Sequence, residues 1–305
     1  MSNSKEDRPL KILFADDGSQ HALAAITLLC DLPLPPGSAV FDLAALTPRD
    51  SSNHTRLEAA QAQTQSFLEQ KGIPVTAELR LGYPAEVLIN FADQYNPDLI
   101  VMGAKGLRST LGILLGGVAQ QVVEYASWPV LVVRPPYTGL RRLLFVTDGS
   151  PHSLIALDFL AGSPDCPQFP LPAGVELDVL HVLLPLPDPG VMVGAWPGAD
   201  EVVTPPPIEQ PEMEAWLEKE ERDGQAILDQ ALERLHAAGL PANGVLLRGD
   251  AATEILEYVK EHKMDLILSG SRGLSQMKGW LLGSVSRKLL HYASCSVLVV
   301  KSRPS

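Results

Sequence analysis

Asp265-Leu266-Ile267-Leu268-Ser269-Gly270-Ser271-Arg272-Gly273 is the stretch on which the reading of this chain turns. An acid precedes a short apolar run, and the run ends in two glycines three residues apart with a basic side chain between them. Gly283-Ser284 follows after nine further residues. A near-copy stands upstream: Asp98-Leu99-Ile100-Val101-Met102-Gly103-Ala104-Lys105-Gly106, nine residues, then Gly116-Gly117. The apolar runs suit strands buried on both faces of a parallel sheet. Glycines let backbone N–H groups approach anionic oxygens with no Cβ in the way. A small-residue pair that opens a helix adds the positive end of its dipole. Strand, anion-wrapping loop and helix start therefore occur twice.

Other segments repeat with them. Lys11-Ile12-Leu13-Phe14-Ala15-Asp16-Asp17-Gly18-Ser19 matches Arg142-Leu143-Leu144-Phe145-Val146-Thr147-Asp148-Gly149-Ser150. Gly82-Tyr83-Pro84-Ala85-Glu86 answers Gly249-Asp250-Ala251-Ala252-Thr253-Glu254, and Tyr125-Ala126-Ser127 answers Tyr292-Ala293-Ser294. The offset is 131 at Asp17 and Asp148 but 167 at Gly103 and Gly270, so the second unit carries 36 extra residues between them. Most of these are assigned to 184–211, a Pro- and Gly-rich stretch that suits neither a regular helix nor a central strand. It is expected to form a long surface loop, with a lid or a partner contact as candidate roles. The boundary is placed in Arg134-Pro135-Pro136-Tyr137-Thr138-Gly139, giving domains 1–138 and 139–305.

In unit one, strands are expected near 11–16, 39–46, 75–81, 98–102 and 129–133. Helices are expected over 20–31, 55–71, 84–95 and 117–126, where apolar residues recur every three or four positions. Strand–helix alternation predicts an α/β fold: in each unit an open five-stranded parallel sheet, order 3-2-1-4-5, with helices on both faces. Ligands of such sheets bind beyond the carboxyl ends of the strands, where the order reverses. Asp17 with Gly103, and Asp148 with Gly270, should meet there. An acid at that point suits ribose hydroxyls or the polar edge of a base; loop amides, Arg272, Ser284 and Ser286 suit phosphates. The plainer alternatives are an Asp-Gly-Ser turn or helix cap, and a Gly283-Ser284 cap. His181, in Leu180-His181-Val182, is read as a packed, hydrogen-bonded residue rather than a base.

The 305 residues carry a net charge of -12, which disfavours nucleic acid and anionic membranes as partners. Cys30, Cys166 and Cys295 lie far apart and fit a reduced cytoplasm with no disulfide or zinc framework. The polar N-terminus does not resemble a signal peptide, and no apolar run is long enough to span a bilayer.

On Asp148, His181-Val182, Gly270, Gly273, Gly283 and Ser284, the chain resembles the universal stress protein family in tandem form. That resemblance implies a Rossmann-like fold of the adenine nucleotide alpha hydrolase-like kind. It implies ATP, taken with Mg²⁺, as ligand of the second unit. Adenosine would lie near Asp148 and the Val182 backbone; phosphates would lie on Gly270, Arg272 and Gly273 and on the helix start Gly283, Ser284, Val285 and Ser286. In the first unit the matching positions are Asp17, Leu46, Gly103, Lys105, Gly106, Gly116 and Gly117. There Gly117 replaces the hydroxyl residue and Ala45-Leu46 replace His-Val, so weaker binding is expected. The resemblance also implies that Val130–Val133 and Val297–Val300 pair to make one chain a pseudo-dimer, with further homodimerisation left open.

No Walker or dinucleotide motif, catalytic set or metal site is found, so at most slow ATP hydrolysis is expected. The leading reading is a nucleotide-dependent stress or signalling protein acting on an unidentified protein partner. The alternatives are an adenine-nucleotide-dependent transferase and a ligand-free scaffold.

Overall fold

A computed structural model describes residues 8–47, 53–106, 115–186, 210–273 and 282–301. The first unit runs β1 (Lys11–Ala15), α1 (Gln20–Asp31), β2 (Ala39–Leu46), α2 (His54–Gln70), β3 (Val75–Leu81), α3 (Pro84–Tyr95), β4 (Leu99–Gly103), α4 (Gly117–Tyr125) and β5 (Val130–Val133). The second runs β6 (Arg142–Val146), α5 (Pro151–Ala161), β7 (Glu176–Leu183), α6 (Gln210–Ala237), β8 (Asn243–Arg248), α7 (Ala251–Glu261), β9 (Leu266–Gly270), α8 (Ser284–Tyr292) and β10 (Ser296–Val300). Element bounds read from periodicity in unit one lie within about one residue of those observed, the usual uncertainty of helix and strand ends.

All ten strands form one sheet, ordered β3-β2-β1-β4-β5-β10-β9-β6-β7-β8. Each half is parallel with the expected 3-2-1-4-5 order. The halves join through one antiparallel pair, with Val130 opposite Val299, Leu131 opposite Leu298 and Val132 opposite Val297. The four apolar runs β4, β5, β10 and β9 thus occupy the centre of the sheet, where both faces are covered. Alternate residues feed two cores. Leu131, Val133, Leu298 and Val300 face α1 and α5; Val130, Val132, Val297 and Val299 face the side of α3, α4, α7 and α8. Both cores run unbroken across the join, so the units share their apolar interior. Each fully buried Val or Leu there contributes roughly 1.5–3 kcal/mol.

Two reciprocal caps reinforce this join. Arg134, just after β5, donates from its guanidinium to the Leu290 carbonyl of α8 at 2.5 Å. Lys301, just after β10, donates to the Glu124 and Ala126 carbonyls at the end of α4, at 3.0 and 2.6 Å. Each unit therefore satisfies orphan carbonyls at the C-terminus of the other unit's last helix. Arg287 and Glu124 add an ion pair at 3.3 Å between α8 and α4.

The expected loop over 184–211 falls largely on residues 187–209, outside the described residues. Its last two residues are not loop: Gln210 and Pro211 already belong to α6, where a proline in the first turn needs no N–H donor. α6 has 28 residues against 17 in α2, so part of the extra length extends a helix. The exit of β7 is pinned by Glu220 and Arg248. The Glu220 carboxylate accepts from the Leu184 N–H at 2.9 Å, and Arg248 donates to the Leu184 carbonyl at 3.0 Å. No helix among the described residues is long and apolar enough to cross a membrane.

One buried group has no counterpart in unit two. Asp42 on β2 is 0% exposed, and the polar side chain set against it is the Gln61 amide of α2. That amide donates to the main-chain carbonyls of Asp42 and Glu78 at 3.1 and 2.9 Å. Burial, with the nearby Asp16 charge, pushes the Asp42 carboxyl up to about 8. The folded chain thus holds this proton where the unfolded chain has released it, so stability falls as pH rises from about 4 towards 8. Asp42→Val, which copies Val179 of unit two, should raise the thermal midpoint by several degrees at about pH 8 and by less at about pH 5. Melting curves at the two pH values check this; an equal gain at both would contradict a protonated carboxyl in the core.

Candidate functional site

The sheet order places β1 beside β4 and β6 beside β9, so the two strand ends flank the reversal in each unit. Asp148 follows β6, and its carboxylate accepts from the Ser150 N–H at 3.0 Å. That contact closes a turn that enters α5. Ser150 is the N-cap, its hydroxyl oxygen accepting from the Ser153 N–H at 3.3 Å. Unit one repeats this with Asp17, Ser19 and Ala22 at 3.0 and 3.1 Å. The plain reading of Asp-Gly-Ser as turn and cap is therefore correct for the serines. The aspartates have a second relation, with the glycine loop.

A Cβ built on Gly273 would sit 2.5 Å from Asp148 Oδ2, and one on Gly106 would sit 2.6 Å from Asp17 Oδ2. Only glycine permits this approach. Gly270 and Gly103 lie equally close to the backbones of His152 and His21, at the N-terminal turns of α5 and α1. The first residues of the loop are thus clamped between the acid and a helix start, and all three glycines shared by the units have a packing reason independent of any ligand, Gly283 and Gly116 against the Arg272 and Lys105 backbones. Gly117, which stands where unit two has Ser284, differs: nothing lies within 4 Å of the Cβ it would carry.

In unit two these parts line one cavity of about 270 Å³. Asp148, Val182, Gly270, Arg272 and Gly273 form part of its wall, and Gly283, Ser284, Val285 and Ser286 form the helix start facing them. All nine residues expected there are brought together. Asp148 and Ser284 share one cleft instead of lying on opposite sides of the sheet. Ser284 opens α8, with Gly283 as N-cap, so the dipole of α8 has its positive end at the cavity. Ser286 has a partly different role from the one expected, because its hydroxyl donates to the Gly270 carbonyl at 2.8 Å. It holds the loop against α8 and keeps only acceptor capacity for a ligand. Burial, then the Arg272 charge, lowers the pKa of His152, so the imidazole stays neutral beside the guanidinium.

Motif reading alone missed several wall residues. Thr147, Ser153, Ser269, Ala251 and Ile255 also line the cavity. Ala251 and Ile255 lie four apart on one face of α7, a helical spacing that was legible but not tied to the site. His181 lines the wall too, and its Nδ1–H donates to the Thr147 carbonyl at 2.8 Å.

Unit one has a matching cavity of about 270 Å³, with Asp17, Gly103, Lys105, Gly106, Gly116 and Gly117 in its wall. Leu46 is a correction. Ala15 pairs with Leu43 and Val146 with Leu180, so Ala45, not Leu46, is the counterpart of Val182. Ala45 lines the cavity, whereas Leu46 is buried with Ala44 and Leu57 under α2. A one-residue shift along a strand moves the side chain to the other face.

The model of the universal stress protein family matches the chain twice, over residues 10–134 and 139–301. The chain is a tandem member of the universal stress protein family. It is 25% identical over 307 residues to universal stress protein Slr1230 of Synechocystis, covering 98% of this chain and 91% of that protein. Universal stress protein YxiE of Bacillus subtilis is 40% identical over 80 residues, 26% of this chain and 54% of that relative, so the match spans about half the relative's length. A universal stress protein structure from Archaeoglobus fulgidus shares the fold, with a TM-score of 0.64 at 19% identity, covering 96% of both chains.

The glycine geometry gives a direct test. Gly273→Ala and Gly106→Ala should each cost roughly 1–3 kcal/mol, because the new methyl meets a carboxylate held in a turn. Gly117→Ala should be neutral or stabilise by up to about 1 kcal/mol, as a helix start in open space. Denaturant melts of the three variants check the contrast.

Proposed function

We propose that unit two binds ATP and that the bound state alters the protein's contacts with a partner, as a stress or signalling device in the cytoplasm. The single observation that carries this reading is the cavity in which Asp148 faces both the Gly270–Gly273 loop and the Ser284 end of α8. The Asp148 carboxylate accepts from ribose hydroxyls or a base edge. Phosphates take the loop amides, the Arg272 guanidinium, the Ser284 hydroxyl and the helix N-terminus, which together supply donors and positive potential in a chain of net charge -12. Val182 lines the same cavity and would flank the base.

Mg²⁺ would enter with the phosphates. Among the described residues no group of three or more His, Cys, Asp or Glu stands ready to hold a metal. The ion would keep water and phosphate oxygens as its ligands. Among the described wall residues, His181 donates its Nδ1–H to the Thr147 carbonyl and keeps Nε2 as its one basic nitrogen. With no metal ligands from the described residues, turnover is expected to be slow and retention of nucleotide the expected behaviour.

A scaffold reading has one observation in its favour, the packing reason for Gly270 and Gly273. It does not account for Ser284 and Arg272, which line the cavity without serving the fold in that way. Calorimetry with ATP and Mg²⁺ separates the two. Ser284→Ala should weaken binding roughly 10-fold, the loss of one hydroxyl hydrogen bond to an anionic phosphate of about 1.5 kcal/mol. Arg272→Ala should weaken it roughly 10- to 100-fold, with a shallower salt dependence, as expected for a charged contact. Wild type that binds no ATP, or wild-type affinity in both variants, would contradict the assignment.

A further inference from the structure

The cavities of the two units share a backbone frame and volume but differ in wall chemistry. Strand register and the glycine loops match Asp16 to Thr147, Ala45 to Val182, Met102 to Ser269, Gly117 to Ser284 and Ala119 to Ser286. The hydroxyls of Ser269, Ser284 and Ser286 are thus replaced by a thioether, a hydrogen and a methyl. The fork of Arg272 becomes the point charge of Lys105, a poorer match to phosphate geometry.

Unit one also gains buried acid. Asp16 is 5% exposed, and its carboxylate accepts from the Gly18 N–H at 2.8 Å and the Thr64 hydroxyl at 2.7 Å. Behind it lies Asp42, whose fully buried carboxyl is held protonated and adds no charge. Thr147 carries no charge at the Asp16 place in unit two. An acid in the wall of a cavity with few donors opposes a polyphosphate. The Asp17 carboxylate nevertheless remains at the mouth as an acceptor for hydroxyls, and Leu43, Leu88, Met102 and Val118 supply an apolar wall for a flat ring.

We propose that the unit-one cavity is a second ligand site, selective for an uncharged purine nucleoside of the adenosine class over its polyphosphate. The protein would then hold a polyphosphate in one unit and a nucleoside in the other, and would respond to both. The frame comparison rests on the reading of unit two as an adenylate site.

The test titrates full-length protein with adenosine, alone and after saturation with ATP and Mg²⁺, by calorimetry. After saturation one adenosine per chain should bind, and without ATP at least one. Ala45→Phe, which fills the cavity, should abolish adenosine binding to the saturated protein and leave ATP affinity within about 2-fold, a spread well under 1 kcal/mol. Gly117→Phe should do the same at a position with open space, which keeps the test intact if Ala45→Phe does not fold. Met102→Ser combined with Gly117→Ser and Ala119→Ser should raise ATP stoichiometry from one towards two. The proposal is overturned if adenosine competes with ATP for one site, if ATP fills two sites in wild type, or if adenosine does not bind. Adenosine bound in unit one with no ATP bound anywhere would instead sink the reading of unit two and leave this site standing.

Discussion

The approach of an aspartate carboxylate to a glycine across the switch point of each half-sheet organises everything built around it. Asp148 is held by a turn at the end of β6; Gly273 belongs to the loop after β9. They meet because those strands are neighbours, and they stay within contact only because Gly273 has no side chain. The described start of the loop, Ser271 to Gly273, is therefore placed by the fold itself. Preorganised amides and a helix N-terminus bind an anion without the entropy cost of ordering a flexible loop. The same clamp explains why the pattern persists in unit one, where the hydroxyl partners are missing.

The second constraint is the antiparallel join of β5 and β10. Parallel sheets need both faces covered and leave edges to protect. Here the final strand of each unit covers the final strand of the other, and two cores continue across the seam. Arg134 and Lys301 each close the far unit's last helix. Lys301 is half-buried among those carbonyls, and that burial lowers its pKa to about 8. The two cavities consequently sit along one continuous sheet.

Much of this was legible in the sequence. Two copies of a strand ending in Gly-x-x-Gly fixed the repeat, and β-branched and apolar runs at 99–102, 130–133, 266–268 and 297–300 marked the sheet centre. Strand order and the meeting of Asp148 with Ser284 followed from the general geometry of open sheets. Leu46 was misplaced because β2 lacks the His-Val marker that signs β7. The offset between Leu46 and Leu183 is 137, against 131 at the aspartates, so six extra residues precede β7 and shift the alignment. Side-chain commitments were not legible at all. That Ser286 donates to Gly270, or that Asp42 lies fully buried beneath α2, depends on packing between elements far apart in the chain. The start of α6 was obscured for a related reason, since Pro211 reads as a breaker until it is seen to fall in a first turn.

The most direct measurement of the central claim is the adenine nucleotide carried by gently purified full-length protein, resolved by native mass spectrometry as ligand mass and number per chain after incubation with ATP and Mg²⁺. One polyphosphate per chain, lost in a variant altered at Ser284 and Arg272 and kept in one altered at Lys105, is the predicted result. No retained nucleotide, or two polyphosphates per chain, would contradict it.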